Sequence, residues 1–267
     1  FIIPGSRVCI KTSGAVQPML QEAVLKPDDT RRLIKQVYDL DGRGMERLLD
    51  HGDGDFSFSV SGVGRFRCNA YKQRNSLAMV LRIVTLSLPD PESMHIPKEV
   101  LDLASVKKGL VLVTGPAASG KSTTLACVID RINASRRGHI ITIEDPIEFI
   151  HSHKQSVVSQ REIEHDTDSY KSALRAALRQ APDVILLGEM RDFETIQTAL
   201  TAAETGQLVL STLHTVGAAK TIDRIIDVFP ANQQQQIRVQ LSMVLRAVVS
   251  QQLLPTLDGC LEPAFEI

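Results

Sequence analysis

No charge of one sign dominates this chain: 30 lysines and arginines face 31 aspartates and glutamates, for a net charge of −1 over 267 residues. That balance creates no global field to gather nucleic acid or an anionic membrane, so partners have to be read from individual sites. Tryptophan is absent, aromatic residues make up 4%, and no basic stripe with interleaved aromatics is visible, which counts against a DNA-translocating ring. The 4 cysteines, Cys9, Cys68, Cys127 and Cys260, include no C-x-x-C pair. A reduced, cytoplasmic protein fits that usage better than a disulfide scaffold, which belongs to much smaller secreted chains. No apolar run reaches the length of a membrane span and no signal peptide is visible, so any membrane association is expected to go through a partner. His151-x-His153 could share a strand face, but without further ligands no zinc site is expected there.

Apolar residues make up 43% of the chain, enough for a sizeable core and, at this length, two domains. Residues 1–90 read as a small α+β domain, with a strand near Arg7 to Lys11 and a helix through Arg31 to Tyr38 capped by Asp28, Asp29 or Thr30. Three strand patterns follow. In Asp55–Val60, Phe56, Phe58 and Val60 share one face. In Gly64–Tyr71, Phe66, Cys68 and Ala70 point inward while Arg65 and Arg67 take the other face. Ser76–Val84 is apolar on both faces except for Arg82. An arginine inside such a strand is expensive to bury unless paired, so Arg82 is expected to meet an anion. For Arg65 and Arg67 a solvated strand face stays open beside a functional role. The candidate role is contact with a triphosphate held by another subunit, which suits the planar guanidinium. The prolines between Leu88 and Pro97 mark an interdomain linker, placed at 91–102.

Residues 103–267 carry the chemistry. Leu110-Val111-Leu112-Val113 reads as a buried strand, Gly115-Pro116-Ala117-Ala118-Ser119-Gly120-Lys121-Ser122 follows, and Thr123 to Ile129 continues as a helix. This is G-x-x-x-x-G-K-[ST] in its required strand–turn–helix context, where backbone N–H groups and the helix N-terminus face phosphate oxygens. Lys121 is expected to reach the β- and γ-phosphates and Ser122 to place its hydroxyl on Mg²⁺. The strand His139–Ile143 ends in Glu144-Asp145-Pro146-Ile147-Glu148. Acids at the C-terminal end of such a strand hold Mg²⁺ through water or orient the attacking water. A helix from Ser169 to Gln180 carries the basic stripe Lys171, Arg175 and Arg179. The strand Val184–Leu187 then ends in Gly188-Glu189-Met190-Arg191-Asp192, a Walker B-like arrangement with glutamate in place of the commoner aspartate. Asp192 is placed to cap a helix from Phe193 to Thr205, ended by Gly206. A further strand, Gln207–Thr212, leads into His214, a γ-phosphate sensor or a satisfied polar residue. A last helix is expected from Ala231 to about Leu253, with Ile237, Leu241, Val244 and Val248 as its packing face. Phe1-Ile2-Ile3 and Phe265-Glu266-Ile267 both read as interrupted strands, so the gene product is expected to be longer.

The P-loop, the acid box Thr142–Phe149, the Gly188–Asp192 strand end and Ser211-Thr212-Leu213-His214-Thr215, taken in that order, resemble the secretion ATPases. The likeness is specific to the type IV pilus retraction ATPases of the PilT and PilU kind, and it extends into the first domain through Gly64-Arg65-Phe66-Arg67. Gln73-Arg74-Asn75, Leu178 to Asp183 and Gln251 to Thr256 lean toward PilU, and Gly188–Asp192 toward PilT. The resemblance implies a PAS-like α+β N-terminal domain followed by a RecA-like P-loop NTPase domain, the second C-terminally truncated. It implies an ATP-hydrolysing homo-hexameric ring with Mg²⁺ that drives pilus retraction and twitching motility. It places the ring in the cytoplasm at the inner face of the inner membrane, against a pilus platform protein and possibly with a paralogous retraction ATPase, with no direct nucleic-acid contact. Residues 115–123, Gly115 to Thr123, would bind nucleotide, and Ser122 and Glu189 would serve Mg²⁺. Glu144 would be the general base, preferred over Glu189 because a Walker B acid usually goes to metal. His214 would be the sensor, and Arg65, Arg67 and Arg82 would contact phosphate. Two other functions stay open. One is an accessory, PilU-like scaffold that binds ATP with low turnover. The other is a pilus-assembly or type II secretion ATPase, against which stands the missing tetracysteine insert. Two departures matter: Ala117-Ala118 stand where the family usually has threonine and glycine, and the chain stops at Ile267, before the family's Ala-Ile-Arg segment. ATP hydrolysis without retraction is the expectation from the second.

Overall fold

The chain is seen in a computed structural model that describes residues 1–12, 15–60, 63–84, 88–190, 192–257 and 260–267. It forms two compact units, residues 1–86 and 87–267.

The first unit opens with a two-stranded hairpin, β1 (Cys9–Thr12) and β2 (Ala15–Pro18), then α1 (Pro27–Leu40) and α2 (Glu46–His51). α1 begins earlier than the capping pattern predicted. Pro27 takes the first helical position, Lys26 is the cap, and Asp29 Oδ2 accepts the Lys26 N–H at 3.0 Å. Proline there loses no helical hydrogen bond, so the start moves N-terminal of the acids. An antiparallel sheet follows in the order β3 (Asp53–Val60), β4 (Gly64–Gln73), β5 (Ser76–Val84). Its inner face buries Phe56, Phe58, Cys68, Ala70, Leu77 and Met79 against Ile34, Tyr38 and Leu48 of the helices. Tyr38 meets Phe56 edge to face with ring centroids 4.6 Å apart. The far end of β5 departs from expectation: Arg82 is exposed and Ile83 is 74% exposed. Arg82 therefore carries no desolvation cost, and the burial argument for an anion does not apply to it.

The second unit holds a seven-stranded sheet in the order β12-β11-β6-β10-β9-β7-β8. These strands are β6 (Gly109–Thr114), β7 (His139–Glu144), β8 (Val157–Glu162), β9 (Val184–Leu187), β10 (Leu208–Leu213), β11 (Leu245–Pro255) and β12 (Leu261–Glu266). All pairings are parallel except β11 with β12. Parallel strands covered on both faces read as near-continuous apolar runs, and β6 does. Leu110 and Leu112 pack on one side with Ile141, Ile143, Ile185 and Leu187, under α5 (Tyr170–Ala177), α6 (Phe193–Glu204), α7 (Ala218–Asp227) and α8 (Ala231–Val244). Val111 and Val113 pack on the other side with α4 (Lys121–Ser135).

The segment at 91–102, expected as a linker, lies within this second unit. Ile96, and Val100 of the short helix α3 (Lys98–Asp102), are buried against α4 and the sheet, so its apolar side chains belong to a core. The last helix is likewise shorter than expected. It ends at Val244, and Leu245–Pro255 runs as β11 beside β6. Val248 and Val249 fall on opposite faces of the sheet, which extended chain does and a helix does not. His151 and His153 lie outside any strand.

Candidate functional site

The strand order gathers the site. In open parallel sheets the space beyond the C-terminal strand ends is where ligands are held, and here β6, β10, β9 and β7 end in the P-loop, His214, Glu189 and Glu144. Together these line a cleft of about 460 Å³, with residues 117–123, Glu148, Tyr170 and Thr212 on its walls.

The loop's shape rests on two glycines. Gly115 has φ +146° and a Cβ there would stand 2.0 Å from the Gln251 carbonyl oxygen; Gly120 has φ +86° and opens α4. Ala118 also sits in the left-handed region at φ +59°. Lys121 is 7% exposed, and its ammonium donates to the carbonyl oxygens of Gly115 at 2.9 Å and Pro116 at 2.7 Å. Burial lowers its pKa, while the charges of Glu189 and Glu148 act the other way. The Ser119 hydroxyl is buried in the loop without a protein partner. Two glycines curling the chain around an ammonium and an orphan hydroxyl fit a polyphosphate.

Glu144 ends β7 with Oε1 accepting from Thr142 Oγ1 at 2.6 Å and from Gln160 Nε2 at 3.4 Å. Burial pushes its carboxyl up to about 7, against the pull of these two bonds and one from the Glu148 backbone; the charge on Glu148 adds to the rise. A carboxylate that changes protonation near neutrality is suited to moving a proton there. Glu189 is 8% exposed, with its Oε2 3.5 Å from His214 Nε2. Glu189 and Ser122 are thus both on the cleft wall, an oxygen donor set that suits Mg²⁺ bound jointly with phosphates. Among the described residues no group of three or more His, Cys, Asp and Glu side chains is placed to hold a metal ion by itself. Asp192 caps α6, accepting from the Thr195 N–H at 2.8 Å; Arg191 lies outside the described residues.

The three arginines belong to the first unit. Arg65 and Arg67 are alternate residues on the outer face of β4, and Arg67 is the direct cross-strand partner of Arg82 on β5. Arg67 and Arg82 are exposed, and Arg65 is half-buried.

Several site residues carried no motif. β8 carries no strand pattern, because after Val158 its inward positions, Gln160 and Glu162, are polar where a strand pattern needs apolar ones. Its Gln160 accepts the His151 N–H at 2.7 Å and donates to the Phe149 carbonyl at 2.9 Å, and its buried Glu162 accepts the Ile147 N–H at 2.9 Å. These two side chains clamp the loop that follows Glu144. Gln251, 3% exposed on β11, accepts from Thr124 Oγ1 at 2.8 Å behind the P-loop. His151 is buried with Nδ1 unpartnered.

The model of the type II/IV secretion system protein family matches residues 67–264. The chain is 46% identical over 244 residues to the type IV pilus retraction ATPase PilT of Pseudomonas aeruginosa, spanning 91% of this chain and 71% of that relative. It is 54% identical over 205 residues to a twitching motility protein of Neisseria gonorrhoeae, spanning 77% of this chain and 55% of that one. To the type IV pilus ATPase PilU of P. aeruginosa it is 43% identical over 259 residues, 97% of this chain and 67% of the relative. Among solved structures, the crystal structure of the pilus retraction motor PilT with bound ADP matches at TM-score 0.94 and 48% identity, over 99% of this chain and 77% of that one.

Proposed function

This chain belongs to the type II/IV secretion system protein family, and from that membership we propose that it is an ATP-hydrolysing ring motor of the type IV pilus system, driving pilus retraction and twitching motility. The observation that carries this reading is the convergence of Lys121, Glu144, Glu189 and His214 from four strand ends on one cleft of about 460 Å³. Resemblance to PilT over most of the chain adds the pilus.

Residues 115–123 hold the triphosphate, with backbone N–H groups and the Lys121 ammonium on its oxygens. Glu144 orients the attacking water and takes its proton. Ser122 and Glu189 hold Mg²⁺, which when bound neutralises charge developing on the phosphoryl oxygens. His214 reports on the γ-phosphate through Glu189. Arg65, Arg67 and Arg82 contact phosphate held by a neighbouring subunit. Support for that role comes from β4 and β5: like charges directly opposite each other destabilise an antiparallel pair, and a shared anion removes the conflict between Arg67 and Arg82. Nucleotide turnover then changes how the two domains sit, and the homo-hexameric ring passes that motion to an inner-membrane pilus platform protein. In this reading residues 1–90 are a PAS-like domain, supported by a three-stranded antiparallel sheet carrying α1, and the ring works in the cytoplasm at the inner membrane. No helix among the described residues is long and apolar enough to cross a membrane.

A second reading is favoured by the PilU relative, whose match spans 97% of this chain: a nucleotide-gated accessory subunit of low turnover beside a paralogous retraction ATPase. Mg²⁺-dependent phosphate release at several protein concentrations separates the two. A motor with shared sites gives activity that climbs steeply with concentration and is lost in Glu144→Ala and Arg82→Ala. Tight ATP binding without release supports the accessory subunit.

A further inference from the structure

A cavity of about 30 Å³ adjoins the nucleotide cleft, lined by Ser122, Glu144, Thr212 and His151, with Leu125 and Leu186 as apolar walls. Ser122, Glu144 and Thr212 line the main cleft as well; His151 does not, and the chemistry derived so far makes no use of it. The residue is 7% exposed, and Nδ1 is fully buried with no protein partner. Nearly every buried polar atom in a folded protein is hydrogen-bonded, to protein or to ordered water, so this nitrogen calls for a partner. The main chain of His151 is fixed: its N–H donates to Gln160 Oε1 at 2.7 Å, and the amide of the same Gln160 donates to Glu144 Oε1 at 3.4 Å. The His151 main chain and the Glu144 carboxylate are therefore held on one side chain, and both residues line the same small cavity.

The cavity's volume and chemistry suit one occupant. An ordered water needs at least about 10–15 Å³ of such space and two to four polar partners. The volume meets the first need, and for the second the lining residues His151, Glu144 and Thr212 carry polar side-chain atoms, Nδ1 without a protein partner and Thr212 Oγ1 still able to accept while it donates to the Gly188 carbonyl. We propose that a water in this cavity joins His151 Nδ1 to the Glu144 carboxyl, which makes His151 a positioning residue for the base. The water donates one O–H to the carboxylate. With its other O–H, or by accepting the ring N–H, it satisfies Nδ1 in either tautomer. Burial pushes the imidazole pKa down to about 4, with Asp130 opposing and Lys154 reinforcing the shift, so near neutrality His151 itself adds no charge beside Glu144.

This inference rests on the reading of Glu144 as the base, and the test separates the two. Phosphate release from ATP is measured for the chain and for Glu144→Gln, His151→Leu and His151→Asn, with melting temperatures for all four, beside a crystal structure fine enough to resolve water. The expected results are water density within hydrogen-bond distance of both Nδ1 and the carboxyl, and a kcat for His151→Leu about tenfold down at unchanged KM, the cost of a slightly misplaced base. His151→Asn, whose amide puts a polar atom near the former Nδ1, recovers most of that loss. Absence of the water, a His151→Leu kcat equal to the parent's, or equal losses in both His151 variants that track lowered melting temperatures would each overturn it. Undiminished hydrolysis in Glu144→Gln would sink the base assignment first, and this inference with it.

Discussion

Ala118 holds φ at +59° in the middle of the phosphate loop, where a side chain crowds the following carbonyl and glycine would not. Ala118→Gly relieves that strain and, against it, loosens the unfolded chain. A net gain of about 0.5–1 kcal/mol in unfolding free energy is expected, read from denaturant midpoints at constant slope. A loss of stability would mean that neighbouring contacts have already absorbed the strain. Glu144 makes a second prediction at this scale. Its folded carboxyl keeps its proton up to about pH 7 against an ordinary value of 4.5. A group that binds its proton more tightly when folded favours the native state below its unfolded pKa, and that contribution fades as pH climbs from 4.5 through about 7. Activity runs the other way, since a base works only once ionised: kcat should rise with pH along a limb centred near 7. Glu144→Gln should remove both the stability slope across that window and about 10²-fold or more of kcat. A flat pH–rate profile through this window would assign the base elsewhere.

The elements that build the cleft are held by side chains at their ends. Asp192 accepts from both the N–H and the Oγ1 of Thr195, at 2.8 and 2.9 Å, at the start of α6. Asp192→Ala should cost about 1 kcal/mol and Asp192→Asn far less, a contrast that thermal melts resolve. β11 does the corresponding work behind the P-loop. Gln251→Leu leaves the buried Thr124 hydroxyl without its acceptor, at a cost of about 1–3 kcal/mol. Neither side chain was equally readable. Asp192 was legible because a cap lies within a few residues of the helix it starts, as do the glycines and lysine of the P-loop. The Gln251–Thr124 bond spans 127 positions, and no local pattern announces it. β8 was missed for a related reason: it turns Gln160 and Glu162 inward, so its alternation carries no hydrophobic signal although those residues hold the loop beyond Glu144. The sequence of β11 reads as a continuation of helix because Leu241, Val244 and Val248 keep helical spacing. Only pairing with β6 shows that Val248 and Val249 face opposite ways.

At the scale of the whole molecule, the proposed ring makes a claim that a single chain cannot meet alone: Glu144 and Arg82 at one working site come from different subunits. Arg82 is exposed on the first unit, and Glu144 lines the cleft of the second. Mixing Glu144→Gln chains with Arg82→Ala chains tests this. If the arginine acts on the site of its own chain, every site in a mixed ring carries one defect and phosphate release stays at the level of the two variants. If it acts on a neighbour's site, a sound interface forms wherever an Arg82→Ala chain, with its base intact, binds nucleotide facing the arginine of a Glu144→Gln chain. Random assembly at equal amounts makes about one quarter of a closed ring's interfaces of that kind, since each of two adjacent positions must hold the right chain. Recovery to that order, dependent on mixing before assembly and absent when preformed rings are combined, is the expected result. Recovery far below it would mean that rings need several sound interfaces at once, a coupling between subunits that shows as a steep dependence on the mixing ratio. No recovery at any ratio would return the arginines to their own chain and remove the reason for reading the Arg67 and Arg82 pair as facing a neighbour's phosphate.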